Sequence, residues 1–177
     1  MSAPHSDAQE IIPRLWLGSI DPTHDAEFFR SRGITHVVTA LEAASYDATH
    51  IVTPYEHTTR YTTQAMVEAG VKQFYAPVYD HPNAPLWYYL AEACRFIHNT
   101  LTTSSGAVYV HCYAGISRSS TIVAAYLILR DGITPNAAIT QIRALRPQVE
   151  PNPGFRAQLD WWYAYTRAQL KETTATE

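Results

Sequence analysis

Cysteine is scarce in this sequence, and no apolar run is long. Cys94 and Cys112 are the only cysteines among 177 residues, too few for a disulfide framework or a four-thiolate zinc site, so we expect two free thiols. The longest unbroken apolar run, Ile122–Leu129, has eight residues, whereas a helix that spans a bilayer needs about 20. We therefore expect no membrane partner.

Charge is also sparse. Charged residues make up 16% of the chain, and 13 basic against 16 acidic side chains leave a net charge of −3. A nucleic-acid-binding surface needs an excess of lysine and arginine, which a chain with a pI of about 6.2 does not offer. The sequence therefore predicts no nucleic acid among its partners.

The rest of the composition is that of one folded domain. Apolar residues account for 46% and aromatic residues for 12% of the chain, ample for a buried core. We predict a flexible N-terminal arm over residues 1–10, a single folded domain over residues 11–170 and a flexible tail over residues 171–177. Because residues 1–10 lack the basic and apolar segments of a secretory signal, we expect the cytoplasm or the nucleus as compartment.

Strand and helix patterns alternate along the chain. β-branched and aromatic runs predict buried strands over Ile34–Leu41, Gln73–Val78 and Ala107–His111, with an edge strand at Arg14–Leu17. The alternation predicts an α/β fold, with a central, mostly parallel, twisted sheet flanked by helices. Helical patterns occur at Asp25–Arg32, Thr63–Ala69, Pro85–Leu101 and Ser119–Arg130, and after the cap-and-proline pairs Thr134-Pro135 and Asn152-Pro153.

A loop of distinctive residues follows the strand Ala107–His111. A loop that leads from a strand into a helix turns successive backbone N–H groups inward, which makes a pocket for a tetrahedral dianion such as phosphate. Gly115 allows this loop to turn tightly. Because the same donors stabilise a thiolate, the thiol of Cys112 is predicted to be a nucleophile.

Two further side chains complete the predicted chemistry. Arg118 lies six positions after Cys112, and its planar guanidinium can hold two phosphoryl oxygens at once, as a lysine cannot. Asp80 follows the strand Gln73–Val78 as Cys112 follows the next strand, and parallel strands bring their carboxyl ends to one edge of a sheet. Asp80 is therefore predicted to protonate the leaving group and then to activate water.

At this point the chain resembles a known family. Residues 111–118 resemble the H-C-x5-R loop of the cysteine-dependent protein phosphatases, and the form H-C-x-A-G-x-S-R-S resembles their dual-specificity branch. The likeness extends over residues 13–159, because five other segments resemble family landmarks in the same order. These segments are PRLWLGS (Pro13–Ser19), GITHVVTAL (Gly33–Leu41), PVYD (Pro77–Asp80), AAYLIL (Ala124–Leu129) and PNPGFRAQL (Pro151–Leu159).

The resemblance implies a dual-specificity protein phosphatase, a hydrolase of signalling phosphoproteins. Its catalytic domain would dephosphorylate phosphotyrosine and phosphoserine or phosphothreonine through a phosphocysteine intermediate. Cys112 is implied as nucleophile, Arg118 as phosphate clamp, Asp80 as acid and base, and Ser119 as the group that helps sulfur to leave. The residues implied to bind phosphate or another oxyanion are Tyr113, Ala114, Gly115, Ile116, Ser117 and Arg118, with His111 and Asn152 in support.

The resemblance also implies a metal-free reaction without a cofactor. The sequence contains neither C-x-x-C nor H-E-x-x-H, so we expect no catalytic metal. The variable loop residues Tyr113, Ala114, Ile116 and Ser117 are uncharged, which favours a monophosphorylated protein substrate over an inositol or lipid phosphate. We expect a monomer.

Several alternatives stay open at this point. A rhodanese-type sulfurtransferase also holds a reactive cysteine in a strand-to-helix loop, although it needs neither Asp80 nor Ser119. A phosphopeptide-binding module that has lost turnover is the second alternative. Cys94 is interpreted as a core residue, with a redox partner of Cys112 as the alternative. The segment Glu42–Lys72 is interpreted as a surface insertion and, alternatively, as a functional loop.

Overall fold

All the predicted strands lie in one five-stranded sheet in the computed structural model, which describes residues 7–42 and 61–175. The strands are β1 (Ala8–Ile12), β2 (Leu15–Gly18), β3 (Ile34–Leu41), β4 (Lys72–Pro77) and β5 (Ala107–His111). Their order across the sheet is β1-β2-β5-β3-β4. β1 is antiparallel to β2, and the other neighbours are parallel, which confirms the prediction of a mostly parallel sheet in an α/β domain.

The central strand β5 places the predicted loop at one edge of the sheet. All five of its residues are buried, as expected for an apolar run covered on both faces. Because β2, β3, β4 and β5 run in the same direction, the segments that follow β3, β4 and β5 leave the sheet at the same edge. These segments contain Glu42, Asp80 and Cys112, respectively.

Within residues 7–42 and 61–175, six α-helices cover the two faces of this sheet. The side chains of β3 alternate between the faces, with Val38 in the larger core around α4 and Val37 in the smaller core around α1 and α2. Helix α4 is the most buried helix and packs against α3, α5 and α6. The helices are α1 (Ala26–Ser31), α2 (Gln64–Ala69), α3 (Trp87–Thr103), α4 (Arg118–Asp131), α5 (Pro135–Leu145) and α6 (Pro153–Ala175).

Threonine side chains cap two of these helices, and at α5 the sequence predicts the cap. The Thr63 hydroxyl accepts from the Met66 N–H at the start of α2, and the Thr134 hydroxyl does the same for α5. Helix α3 differs from the prediction, because it begins at Trp87 rather than at Pro85. The Trp87 N–H donates to the side-chain oxygen of Gln158 at 2.7 Å, so a residue of α6 caps this helix.

The boundaries of the predicted arm and tail need correction. Ala8–Glu10 belong to β1, because this segment pairs with β2 and buries Ala8 against the smaller core. Helix α6 continues to Ala175, so most of the predicted tail is helical. Residues 1–6, 43–60 and 176–177, which include most of the segment Glu42–Lys72, lie outside the described residues. No helix in the described ranges combines the length and apolar composition that crossing a bilayer requires.

Candidate active site

The loop between β5 and α4 has its carbonyl groups bonded to the surrounding scaffold. The Tyr113 carbonyl accepts from the Ile20 N–H at 3.0 Å, and the Ile116 carbonyl accepts from the Glu150 N–H at 2.9 Å. Within one trans peptide unit the C=O and N–H groups point in opposite directions. The N–H groups that follow these carbonyls are therefore directed into the loop, where the helix dipole of α4 also favours an anion.

Gly115 and Arg146 shape the back of this loop. Gly115 has a φ of 67°, and a Cβ at this position would lie 2.5 Å from the carbonyl carbon of Gly18, so no side chain fits. The fully buried Arg146 donates from Nε to the Gly115 carbonyl at 2.8 Å and from Nη2 to the Ala114 carbonyl at 3.0 Å. Its Nη2 also pairs with the Asp7 carboxylate at 2.8 Å.

Arg146 was not predicted from the sequence, and we expect its loss to disturb both stability and turnover. Arg146→Met leaves two loop carbonyls and the Asp7 carboxylate without their donor, so the free energy of unfolding should fall by about 3 kcal/mol. Urea denaturation measures this free energy, and kcat/KM should fall as well. Arg95→Met is the matched control, because this exposed arginine bonds only weakly to Glu92 and should change stability by less than about 1 kcal/mol. Equal effects of the two substitutions would contradict the prediction.

Cys112 and Ser119 are brought together at the start of α4. The Cys112 side chain is 2% exposed, and its Sγ lies 3.1 Å from the Ser119 Oγ. The serine hydroxyl can donate to a thiolate at this distance. Cys112 thus lies among the groups that the sequence predicted to stabilise a negative charge.

The guanidinium of Arg118 is held on one side and free on another. Nη1 donates to the Val78 carbonyl at 3.2 Å and forms an ion pair with the Glu42 carboxylate. Nε is buried and has no hydrogen-bond partner among the described residues. A buried N–H without a partner is costly, so this atom is available to donate to a ligand. Glu42 was not predicted, although a carboxylate directly after β3 lies at the same sheet edge as Cys112.

Asp80 is bonded to the loop between β5 and α4 and to the start of α6. Its Oδ1 accepts from the Ser117 hydroxyl at 2.8 Å and from the Asn152 side-chain amide at 2.9 Å. The Asn152 N–H in turn donates to the Ser117 Oγ at 3.1 Å, and its Oδ1 caps α6 by accepting from the Phe155 N–H. With Oδ1 occupied by two donors, Oδ2 is the oxygen left for a proton.

His111 is buried directly behind Cys112. Its Nδ1 lies 3.3 Å from the Cys112 carbonyl oxygen. The pKa of His111 is lowered to about 4, mainly by burial; the hydrogen bond to Cys112 acts in the opposite direction, and the nearby Arg118 and His24 add to the lowering. The ring is therefore neutral at physiological pH, which suits a supporting role rather than proton transfer.

The second cysteine lies in the core. Cys94 is fully buried in α3, and burial raises the pKa of its thiol. Its membership in the hydrophobic core around α4 confirms that it packs as an apolar residue.

A cleft of about 600 Å³ adjoins the guanidinium of Arg118. Its walls include Glu42, Tyr79, Asp80 and His81. Among the described residues that line it, Arg118 is the one lysine or arginine. Within residues 7–42 and 61–175, no three His, Cys, Asp or Glu side chains cluster closely enough to hold a metal ion.

Comparison with known proteins gives the family. The model of the dual specificity phosphatase catalytic domain matches residues 15–164. Dual specificity protein phosphatase 1B of Arabidopsis thaliana is 34% identical over 153 residues, which cover 86% of this chain and 80% of that protein. Human dual specificity protein phosphatase 15 is 31% identical over 168 residues, 94% of this chain, although these cover only 50% of the human protein.

Solved structures give the same result. The crystal structure of human DUSP28 matches with a TM-score of 0.76 at 26% identity, over 94% of this chain and 99% of that one. The structure of DUSP15 matches with a TM-score of 0.72 at 29% identity, over 93% and 95% of the two chains. The fold and the similar sequences define a hydrolase of the protein-tyrosine-phosphatase type. Within that class, the chain belongs to the dual-specificity phosphatase family.

Proposed function

We propose that this chain hydrolyses phosphate monoesters of tyrosine and of serine or threonine in proteins, through a phosphocysteine intermediate on Cys112. The observation that carries the proposal is the convergence of three side chains on one loop. Cys112 follows β5 at the start of this loop, Arg118 begins α4 at its end, and Asp80 bonds to Ser117 beside Arg118 at 2.8 Å. Arg118 and Asp80 line one cleft, and the loop that connects Cys112 to Arg118 brings a nucleophile, an anion clamp and a proton donor together.

In the first half-reaction the phosphoryl group moves to sulfur. The loop amides and Arg118 bind the phosphate oxygens, and the Cys112 thiolate attacks phosphorus. A P–S bond forms while the ester P–O bond breaks. The leaving oxygen takes the proton of the Asp80 carboxyl group, so that a tyrosine, serine or threonine hydroxyl departs neutral.

In the second half-reaction water returns the enzyme to its starting state. Asp80, now a carboxylate, takes a proton from water as the water oxygen attacks phosphorus. The P–O bond forms, the P–S bond breaks, and sulfur leaves as thiolate. The Ser119 hydroxyl, 3.1 Å from Sγ, donates to the departing sulfur and lowers the barrier to its release.

The arrangement favours this function over the two alternatives. The reaction of a sulfurtransferase needs no carboxylate beside the loop, whereas here Asp80 is held beside it by hydrogen bonds from Ser117 and Asn152. A module that only binds phosphopeptides needs no hydroxyl to assist the departure of sulfur, whereas here the Ser119 hydroxyl lies next to the Sγ atom of Cys112. Both features support turnover of a phosphate ester.

The surroundings support a monophosphorylated protein as substrate. Arg118 is the one lysine or arginine among the described residues lining the cleft, so little positive charge is available for a second phosphate. Tyr113 and Tyr79, which adjoin Cys112 and Asp80, are 67% and 65% exposed and offer aromatic contacts to a peptide. Within the proposal, the enzyme acts as a monomer in the cytoplasm or nucleus, on neither nucleic acids nor membranes.

Hydrolysis of p-nitrophenyl phosphate in the presence of EDTA tests the reaction class. We expect turnover that persists in EDTA and disappears after alkylation of Cys112, located by mass spectrometry. Peptides carrying phosphotyrosine, phosphothreonine or phosphoserine then test the dual specificity. Turnover that survives complete alkylation of Cys112 would contradict the proposal.

Replacing Asp80 by asparagine should slow the reaction according to the leaving group. Asp80→Asn removes the proton donor but retains its hydrogen-bonding shape, so turnover of phosphothreonyl peptide should fall by about 100-fold or more. p-Nitrophenyl phosphate should be affected much less, because its leaving group departs readily as an anion. The control is Asp160→Asn on the exposed face of α6. Equal losses with both substrates would remove Asp80 from the acid role.

A further inference from the structure

A chain of hydrogen bonds runs through the protein behind the phosphate-binding loop. The Nε2 atom of His111 lies 2.9 Å from the Oγ1 atom of Thr39, and both residues are fully buried. The two residues are direct partners in the pairing of β3 with β5. The Gln73 side-chain amide nitrogen, on β4, lies 2.8 Å from the same Thr39 oxygen and 2.7 Å from the Tyr61 carbonyl oxygen.

The direction of each hydrogen bond in this chain can be derived. The Tyr61 carbonyl can only accept, so the Gln73 atom facing it is the amide nitrogen, and the Gln73 Oε1 atom accepts from the Thr62 hydroxyl at 3.1 Å. The Gln73 amide therefore donates one hydrogen to Tyr61 and the other to Thr39. A hydroxyl oxygen can accept two hydrogen bonds, but Nε2 of His111 is the one acceptor that the described residues offer to the Thr39 hydroxyl hydrogen, so this hydrogen is the one shared with Nε2.

This direction determines where His111 carries its proton. A neutral imidazole has one N–H and one bare nitrogen, and Nε2 is the bare one because it accepts from Thr39. The hydrogen is then on Nδ1, which donates to the Cys112 carbonyl oxygen at 3.3 Å. The ring is also fixed in its plane, because it stacks on Tyr109 at an interplanar angle of 11°.

The tautomer of His111 in turn orients the first peptide unit of the loop. A bond from Nδ1–H holds the Cys112 carbonyl toward the histidine, so the N–H of Tyr113 in the same peptide unit points toward the pocket. With the proton on Nε2 instead, the bare Nδ1 would face the carbonyl oxygen, and two acceptors would repel each other. That peptide unit would rotate, and the pocket would lose an anion donor.

We propose that Thr39 and Gln73 are positioning residues that hold His111 in its Nδ1-protonated tautomer and thereby aim the Tyr113 amide into the phosphate pocket. The inference rests on the proposed function, because it concerns how the loop around the nucleophile is held. The titratable groups around the ring are Tyr61, Tyr109 and Cys112, with Arg118 and His24 further away. None of these takes the place of Thr39 as donor to Nε2.

The tautomer can be measured directly by nuclear magnetic resonance. In ¹⁵N-labelled wild-type protein at pH 7, the ring nitrogens of His111 should show a protonated Nδ1 and a bare Nε2. Thr39→Val keeps the shape of the side chain and removes its hydrogen-bond donor. In this variant His111 should no longer be held in the Nδ1-protonated tautomer alone. A protonated Nε2 in the wild-type protein would overturn the inference, and so would an unchanged tautomer in Thr39→Val.

Kinetics of the same variant test the effect on the loop. We expect kcat of Thr39→Val to fall on the order of ten-fold. The pH at which alkylation of Cys112 is half-maximal should rise by about one unit, because the thiolate loses a donor. Thr39→Ser restores the hydroxyl and should return both quantities close to wild type. Thr100→Val is the matched control, because this buried threonine bonds to a carbonyl of its own helix far along the chain from the loop.

A second variant tests the inference in case the Thr39→Val protein does not fold. Gln73→Met retains the length of the half-buried side chain and removes both amide donors, so it should shift the alkylation profile in the same direction. If wild-type enzyme shows no Cys112-dependent turnover, the proposed function fails. If that turnover is present but Thr39→Val and Gln73→Met both retain wild-type pH profiles, only the present inference fails.

Discussion

Replacing Cys112 by serine should abolish turnover of p-nitrophenyl phosphate while leaving oxyanion binding intact. The serine hydroxyl keeps its proton at neutral pH and is a far weaker nucleophile than a thiolate, so we expect kcat to fall on the order of 10⁵-fold. The loop amides and Arg118, which are proposed to hold the anion, are unchanged in Cys112→Ser. Binding of inorganic tungstate, measured by isothermal titration calorimetry, should therefore stay within about three-fold of wild type.

The second cysteine supplies the control for this experiment. Cys94 lies in the core of α3, and its thiol is buried and protonated, so Cys94→Ala should retain nearly full activity. The residual activity of Cys112→Ser should also be insensitive to iodoacetamide. Substantial turnover by Cys112→Ser would show that another group attacks phosphorus, and the phosphocysteine mechanism would be wrong.

The parts of the fold that were predicted correctly are those in which the sequence itself carries the signal. Ala107–Val110 and Ile122–Leu129 are continuous apolar runs that lie in β5 and α4, and all of their residues except Leu129 are buried. The sequence of β1 contains no such continuous apolar run, and only its residues Ala8 and Ile11 are buried. This strand is held by backbone pairing with β2, which the sequence does not reveal. The start of α3 depends on Gln158, which is 71 residues away from Trp87.

The same distinction separates the site residues that were predicted from those that were not. Cys112 and Arg118 share one loop whose spacing is visible, and Asp80 follows from the parallel order of the strands. Glu42 and Arg146 act on partners 76 and 31 residues away, through contacts that depend on how the helices and strands pack. Neither residue type nor local spacing distinguishes them from solvated charges, and only the folded chain shows their contacts.

Arg118→Lys should reduce kcat/KM by about 1,000-fold, through both a higher KM and a lower kcat. The guanidinium is held by the Val78 carbonyl and the Glu42 carboxylate on Nη1, which leaves Nε free to donate to a phosphate oxygen. A lysine ammonium is a single point of charge and cannot keep these bonds while also bridging two phosphoryl oxygens. Charge spreads over these oxygens in the transition state, so kcat should suffer as well as binding.

The matched control lies at the other end of the same helix. Arg130 pairs with the adjacent Asp131 near the surface, and Arg130→Lys makes the same chemical change without touching the pocket, so its kcat/KM should equal that of wild type. Steady-state kinetics with p-nitrophenyl phosphate separate kcat from KM for both variants. A rise in KM alone for Arg118→Lys would mean that the guanidinium contributes equally to substrate and transition-state binding, and its role would be reduced to that of an anchor.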